Sequence, residues 1–242
     1  MLKLLLQLDS SRLPSVFDQV VAYDAGADRV MSQGGVTEAE VLDLVLGCIF
    51  TRSPKDMKNT AIFIGGADMA AGEKLLAAAT KTFFANFRVS TMLDSNGSNT
   101  TAVAAVVKIT QALGGSVKGR KIVVTAGTGP VGTRAAGLFA KAGGDVVITS
   151  RKPEDGQRVS AEICKRFGGS VKSVPLREPS QAAAAVGGAE VLLNAGPAGV
   201  KLIPRDAWAG KVVRSLLALD PFSVPNVNSP LLLTKIVVLL VP

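Results

Sequence analysis

The sequence predicts an α/β fold of two doubly wound domains, the second Rossmann-like, and three observations predict it. Short apolar runs of strand length, such as Thr60–Ile64 and Ile122–Ala126, alternate with segments whose apolar residues recur at helical spacing. That alternation implies parallel sheets covered by helices on both faces. The run Ile122–Ala126 leads into Gly127-Thr128-Gly129-Pro130-Val131-Gly132, a glycine turn between strand and helix. An earlier strand ends in Asp94-Ser95-Asn96-Gly97-Ser98-Asn99-Thr100-Thr101, where ligands of open α/β sheets bind.

Composition narrows the class. A chain of 242 residues with 48% apolar content is long enough for two modest cores. We expect an N-terminal domain over residues 1–115, a nucleotide domain over 116–210 and a divergent tail over 211–242. The net charge of +8 attracts anions. Its basic residues are scattered, with only nine Phe, one Tyr and one Trp, so the basic stripe with interleaved aromatics of a nucleic-acid surface is missing. An anionic cofactor and substrate account for the charge. Cys48 and Cys164 have no metal-type spacing, which argues against zinc and against a disulfide framework and for a reducing cytoplasm. With no histidine, the chemistry must proceed without imidazole.

Taken in order, Met1–Leu6 is too short for a signal core and lacks a small-residue cleavage site, so it reads as the first strand. Residues 15–25 carry Val16, Phe17, Val20 and Val21 at helical spacing, with Gly26 closing the helix. Arg29–Ser32 is a second short strand. Thr37-Glu38-Ala39-Glu40 is a capping box, and Val41, Leu42, Val45 and Leu46 form the inner side of its helix. A basic loop with Arg52, Lys55 and Lys58 surrounds Pro54. Thr60–Ile64 is a buried-type strand ending in Gly65-Gly66; a helix over 68–83 and a strand over 88–93 follow. The polar string opens a helix stopped by Gly114-Gly115; alone, it also reads as an Asx-rich cap.

In the second half, the three glycines suit a dinucleotide: a tight turn, a close approach to pyrophosphate, and close packing of helix on strand. Pro130 fits the first helical turn. The next strand, Val146–Thr149, ends in Ser150-Arg151-Lys152, with no acid before Glu154. A hydroxyl, a guanidinium and an ammonium suit the 2′-phosphate of NADP, whereas NAD sites place an acid here. Helix 154–167, strand 170–174, a short helix over 180–186 and strand 190–194 complete the pattern. The last strand ends in Ala195-Gly196-Pro197-Ala198-Gly199, where Ala195 and Gly196 are placed to line the nicotinamide side. From Val212 the periodicity fails. The apolar clusters Leu216–Leu219 and Ile236–Val241 are too short to span a membrane.

On these residues the chain resembles the NADP-dependent methylene-tetrahydromethanopterin / methylene-tetrahydrofolate dehydrogenases of methylotrophic bacteria, from about Leu4 to Trp208. The pieces that carry the resemblance are Pro14–Asp18, Thr60–Gly66, Met92–Thr101, and Gly127–Gly132 with Ser150-Arg151-Lys152. The Asp94–Thr101 string is the most specific. The resemblance implies a pterin held on the first domain and NADP on the second, with hydride passing from the methylene carbon to the nicotinamide. It also implies that Asp18, Asp94, Asn96 and Asn99 position the pterin edge, that no protein base is needed, and that one-carbon metabolism is the setting. A homo-oligomer is expected. The folate dehydrogenase/cyclohydrolase reading is disfavoured, because Tyr23, the only tyrosine, is followed four residues on by Ala27 rather than Lys. The tail after Trp208 lacks the Asn-Ala-x-Pro-Pro turn of the family, which leaves a second reading: a non-catalytic NADP- or pterin-binding remnant.

Overall fold

The computed structural model describes residues 1–196, 203–204 and 210–215. Within them the chain packs as two units, one of residues 1–99 and one beginning at Thr100.

The first unit runs β1 (Leu4–Asp9), α1 (Val16–Asp24), β2 (Arg29–Gln33), α2 (Glu38–Phe50), a 3-10 turn over Pro54–Asn59, β3 (Thr60–Gly65), α3 (Met69–Thr82) and β4 (Ser90–Leu93). Its sheet is parallel in the order β2-β1-β3-β4. Alternation along the strands aims Leu6, Leu8, Ile62 and Ile64 at Val41, Val45 and Ile49 of α2 and Leu75 and Ala79 of α3. The capping box forms: Glu40 accepts from the Thr37 N–H at 2.8 Å. Leu42, expected on the inner side of α2, is 52% exposed instead.

α1 departs further from expectation. Ser15 caps it and Gly26, at φ 92°, closes it, but only Ala22 is buried. Val16, Phe17 and Val20 are 71%, 58% and 52% exposed. Its apolar residues form two stripes, and the richer one faces outward.

A 3-10 turn over Ser95–Gly97 leads into α4 (Ser98–Ala112). The first domain was expected to reach residue 115. In the structure Ala102, Ala105 and Ile109 of α4 join the second unit's core instead. There follow β5 (Lys121–Thr125), α5 (Pro130–Lys141), β6 (Asp145–Ser150), α6 (Pro153–Phe167), β7 (Val171–Pro175), α7 (Ala182–Ala185), β8 (Val191–Asn194) and β9 (Val212–Ser215). The sheet is parallel in the order β7-β6-β5-β8-β9. The order reverses on either side of β5, so the loop after β5 lies at the switch point of a Rossmann-type sheet. β9 corrects the expected tail: residues 212–215 pair in register with Val191–Asn194. Pro197–Gly199, Trp208 and the clusters at 216–219 and 236–241 lie outside the described residues.

Candidate functional site

In the first unit, the carboxyl end of β1 is built around Asp9, which is 1% exposed. Its Oδ1 accepts the Ser11 N–H at 2.8 Å and its Oδ2 the Ser15 N–H at 3.0 Å, folding the chain over the strand end toward α1. That turn carries Asp18 toward Gly65. A Cβ on Gly65 would stand 3.4 Å from Asp9 Oδ2 and 3.5 Å from Asp18 Oδ2, so the two carboxylates meet over a backbone without a side chain. Burial raises the Asp18 pKa above its ordinary value; Asp94 and Asp9 push the same way, against a Ser15 hydrogen bond.

Asp94 terminates β4 and is buried. Its Oδ1 accepts the Asn99 N–H at 2.8 Å, and Asn99 Nδ2 donates to Leu93 O at 2.6 Å. These bonds close the polar turn on itself. Asn96 sits at its tip, exposed, at φ 56°, with its N–H donating to Gly66 O at 2.7 Å. Between α1 and the β3–β4 half of the sheet lies a cavity of about 300 Å³, with Asp18 and Asp94 in its wall and Leu5, Ala61, Phe63 and Met92 beside them. Acceptors set against an apolar surface suit a flat heterocycle whose edge donates hydrogen bonds. Of the four substrate candidates, Asp18 and Asp94 thus share a cavity, Asn99 holds the turn, and Asn96 stands at its tip. Asp9 was missed, because one acid after an apolar run gives no signal until the Ser11 and Ser15 amides fold over it.

In the second unit the glycine turn forms a cradle. Gly127 donates to Thr149 O at 3.0 Å, and a Cβ there would lie 2.5 Å from Ile148 Cβ. A Cβ on Gly132 would lie 2.8 Å from both Ala126 O and Gly127 Cα, so this glycine lets α5 press on the turn. The left-handed residue of the turn is Ala126, at φ 49°, rather than a glycine. Gly129 caps α5 and Pro130 opens it. Among the described residues, the N–H groups of Thr128, Val131 and Gly132 donate to no backbone carbonyl, as at a helix N-terminus that can receive an anion.

Beyond β6, the Ser150 hydroxyl donates to Lys152 O at 2.8 Å and so shapes the turn, while Arg151 and Lys152 are exposed. Beside the cradle, Asn194 Oδ1 accepts from Thr125 Oγ1 at 2.7 Å and from the Gly196 N–H at 3.1 Å. Ala195 donates to Thr125 O at 3.2 Å. The ends of β5 and β8 are thereby knitted together, with Ala195 and Gly196 next to the cradle. Asn194, read from the sequence only as the last residue of a strand, is the side chain that ties these two strand ends together.

Sheet order, switch-point loop and open helix N-terminus define a doubly wound α/β protein with a dinucleotide-type phosphate cradle. Solved structures agree on the fold: the shikimate 5-dehydrogenase of Listeria monocytogenes, in complex with shikimate and NAD, matches with TM-score 0.56 at 13% identity, over 89% of this chain and 86% of that one. The ligand-free 5-ketofructose reductase of a Gluconobacter species matches with TM-score 0.54 at 14% identity, over 90% and 79%. Residues 16–96 match the family described as methylene-tetrahydromethanopterin dehydrogenase, N-terminal. The chain is 46% identical to the bifunctional protein MdtA of Methylorubrum extorquens, over 94% of this chain and 80% of that protein. It is 32% identical to the NAD(P)-dependent methylenetetrahydromethanopterin dehydrogenase of the same organism, over 87% and 72%. The chain belongs to the methylene-tetrahydromethanopterin dehydrogenase family.

Proposed function

We propose that this protein oxidises the methylene group of methylene-tetrahydromethanopterin, or of methylene-tetrahydrofolate, to the methenyl form by hydride transfer to NADP. The observation that carries the reading is the Gly127–Gly132 cradle, followed at the next strand end by Arg151 and Lys152, in a chain of this family. The cradle fits the cofactor: Gly127 and Gly132 allow the close packing a pyrophosphate turn needs, and the N–H groups of Thr128, Val131 and Gly132, which donate to no backbone carbonyl among the described residues, would hold its anion. Gly129 and Pro130 start the helix behind them. Arg151 and Lys152 supply charge-assisted bonds for the 2′-phosphate, with Ser150 holding their turn. Ala195 and Gly196 flank the nicotinamide end.

NADP supplies the hydride acceptor. On the substrate side, the methylene carbon lies between two nitrogens, so loss of hydride leaves an amidinium cation stabilised by the substrate itself. No protein group has to move a proton. The work of the chain is to orient and to provide fixed charge. Asp18 and Asp94 accept from the donor-rich edge of the pterin; Asn96 and Asn99 complete that turn. The carboxylates also favour the cationic product.

Among the described residues no helix is long and apolar enough to cross a membrane. Cys48 and Cys164 are unpaired, which supports a reducing cytoplasm. Self-association belongs to the same proposal. Leu13, Val16, Phe17, Val20 and Tyr23 form an exposed stripe, with Arg12 before it and Asp24 after it. Two such stripes laid antiparallel set Arg12 of one copy against Asp24 of the partner subunit, so the face is complementary in charge to itself.

The test is formation of NADPH, followed by absorbance, when the purified chain meets NADP and each methylene-tetrahydropterin in turn. We expect turnover with at least one of them. Folded protein that binds NADP without turnover would overturn the enzymatic reading in favour of a binding protein.

A further inference from the structure

We propose that Arg177 is a third cation of the 2′-phosphate subsite and sets the preference for NADP over NAD. This rests on the placement of that phosphate at Arg151 and Lys152. The chain leaving β7 runs against the chain leaving β6: Ser150 is in register with Pro175, and the Leu176 N–H donates to Ser150 O at 2.9 Å. Leu176 is 2% exposed and anchors this junction in the core. The next residue, Arg177, is exposed and donates from Nε to the Arg151 carbonyl at 2.8 Å. Its own N–H is held by Gln181 Oε1 at 2.7 Å.

With Nε committed, the guanidinium plane is set beside Arg151, and both Nη groups stay without a hydrogen bond or ion pair among the described residues. Of the neighbouring acids, two are engaged elsewhere and Glu154, exposed in the first turn of α6, makes no ion pair with Arg177. The Glu178 carboxylate takes the Gln181 N–H, and Asp155 accepts from Arg158. Three cations are thus gathered at two adjacent strand ends, and one is tethered through the nitrogen that a fork-type contact does not need. Like charges held together repel unless an anion lies between them. A phosphate monoester, with three strong acceptor oxygens, is that anion, and the two free Nη groups offer it a bidentate contact. A cofactor without the 2′-phosphate leaves the cluster uncompensated.

The experiment is calorimetric titration of the full chain with adenosine 2′,5′-bisphosphate and with adenosine 5′-monophosphate, for the unaltered protein, Arg177→Met, Arg177→Lys and Arg151→Met. We expect the unaltered protein to prefer the bisphosphate. Arg177→Met should lose about tenfold or more of that affinity, as for a charge-assisted hydrogen bond, and leave the monophosphate unchanged. Arg177→Lys, which keeps the charge, should retain part of it. Thermal unfolding identifies any variant that fails to fold, and Arg177 is exposed enough for all to be expected to fold. Bisphosphate affinity unchanged in Arg177→Met but reduced in Arg151→Met would overturn the role of Arg177 while leaving the subsite standing. No preference in the unaltered protein would overturn the subsite itself. Equal losses for both ligands, or Lys behaving as badly as Met, would reduce Arg177 to a prop for the Arg151 backbone and likewise overturn the proposal.

Discussion

Gly127 shows how little room the cofactor turn leaves. A methyl group there would lie 2.5 Å from Ile148 Cβ and 2.8 Å from Ile148 Cγ2, both on a buried β-branched side chain that cannot swing away. Gly127→Ala is therefore expected to cost about 1–3 kcal/mol, as overpacking in a filled core does. Thermal unfolding should drop by several degrees, with NADP affinity falling in parallel. Asp18 gives a test in pH. Its folded pKa is raised, chiefly by burial, so folding favours the protonated form. Relative to the unfolded chain, ionisation then costs stability as pH climbs through the ordinary carboxylate range, near about pH 4, and on through the raised value. Asp18→Asn cannot ionise. Its stability relative to the unaltered protein should rise from acid toward neutral pH in paired melting curves, while its KM for the pterin increases. A constant difference across that range would remove Asp18 from the set of perturbed acids.

At the scale of elements, what the sequence makes legible is what local chemistry decides. Thr37 and Glu40 announce the start of α2, and the glycine pattern with Pro130 announces α5, because caps and turns are local. What stays hidden depends on partners far along the chain. Four residues, Val-Val-Arg-Ser, have no readable period, and β9 becomes a strand only by pairing with β8. The outward facing of Val16, Phe17 and Val20 in α1 stays hidden for the same reason, since helical spacing alone does not say which stripe the sheet will take. Arg177 lies too far along the sequence from Arg151 to be linked to it before β7 is set beside β6. Contacts between elements also give the polar turn its support. A Cβ on Gly72 of α3 would collide with Ser95 Oγ and stand 2.9 Å from Leu93 Cδ1. Alanine at that position gains about 1 kcal/mol in helix propensity, less than the upper part of the roughly 1–3 kcal/mol range that overpacking costs. Gly72→Ala should therefore displace the Asp94–Asn99 turn. The expected reading is a raised KM for the pterin with unchanged NADP affinity, because the cradle is built in the other unit.

For the whole molecule, the proposed division of labour follows the packing: the acids assigned to the substrate lie in the first unit, the groups assigned to the phosphates in the second, and α4 begins at the polar turn but has Ala102, Ala105 and Ile109 in the second core. The first unit carries a further demand. Val16, Phe17, Val20 and Tyr23 share one face of α1, Leu13 lies just ahead of the Ser15 cap, and each of the five is at least half exposed. Scattered apolar residues on a surface call for no explanation, but a continuous stripe does. Arg12 precedes the stripe and Asp24 follows it, with opposite charges, so a two-fold contact that pairs its two ends is complementary in charge. In the proposed self-association a second copy of this chain would cover the apolar stripe and pair its charges. Phe17→Glu places a carboxylate in that face without touching the core or the cradle, so the variant should fold, bind NADP as before and run smaller than the unaltered protein in light scattering coupled to gel filtration. An Arg12→Asp variant should also dissociate, and adding Asp24→Arg to it should restore association, because the antiparallel arrangement pairs those two positions across the two-fold axis. Association unaffected by Phe17→Glu would place the contact between copies elsewhere and leave the stripe as solvent-facing surface.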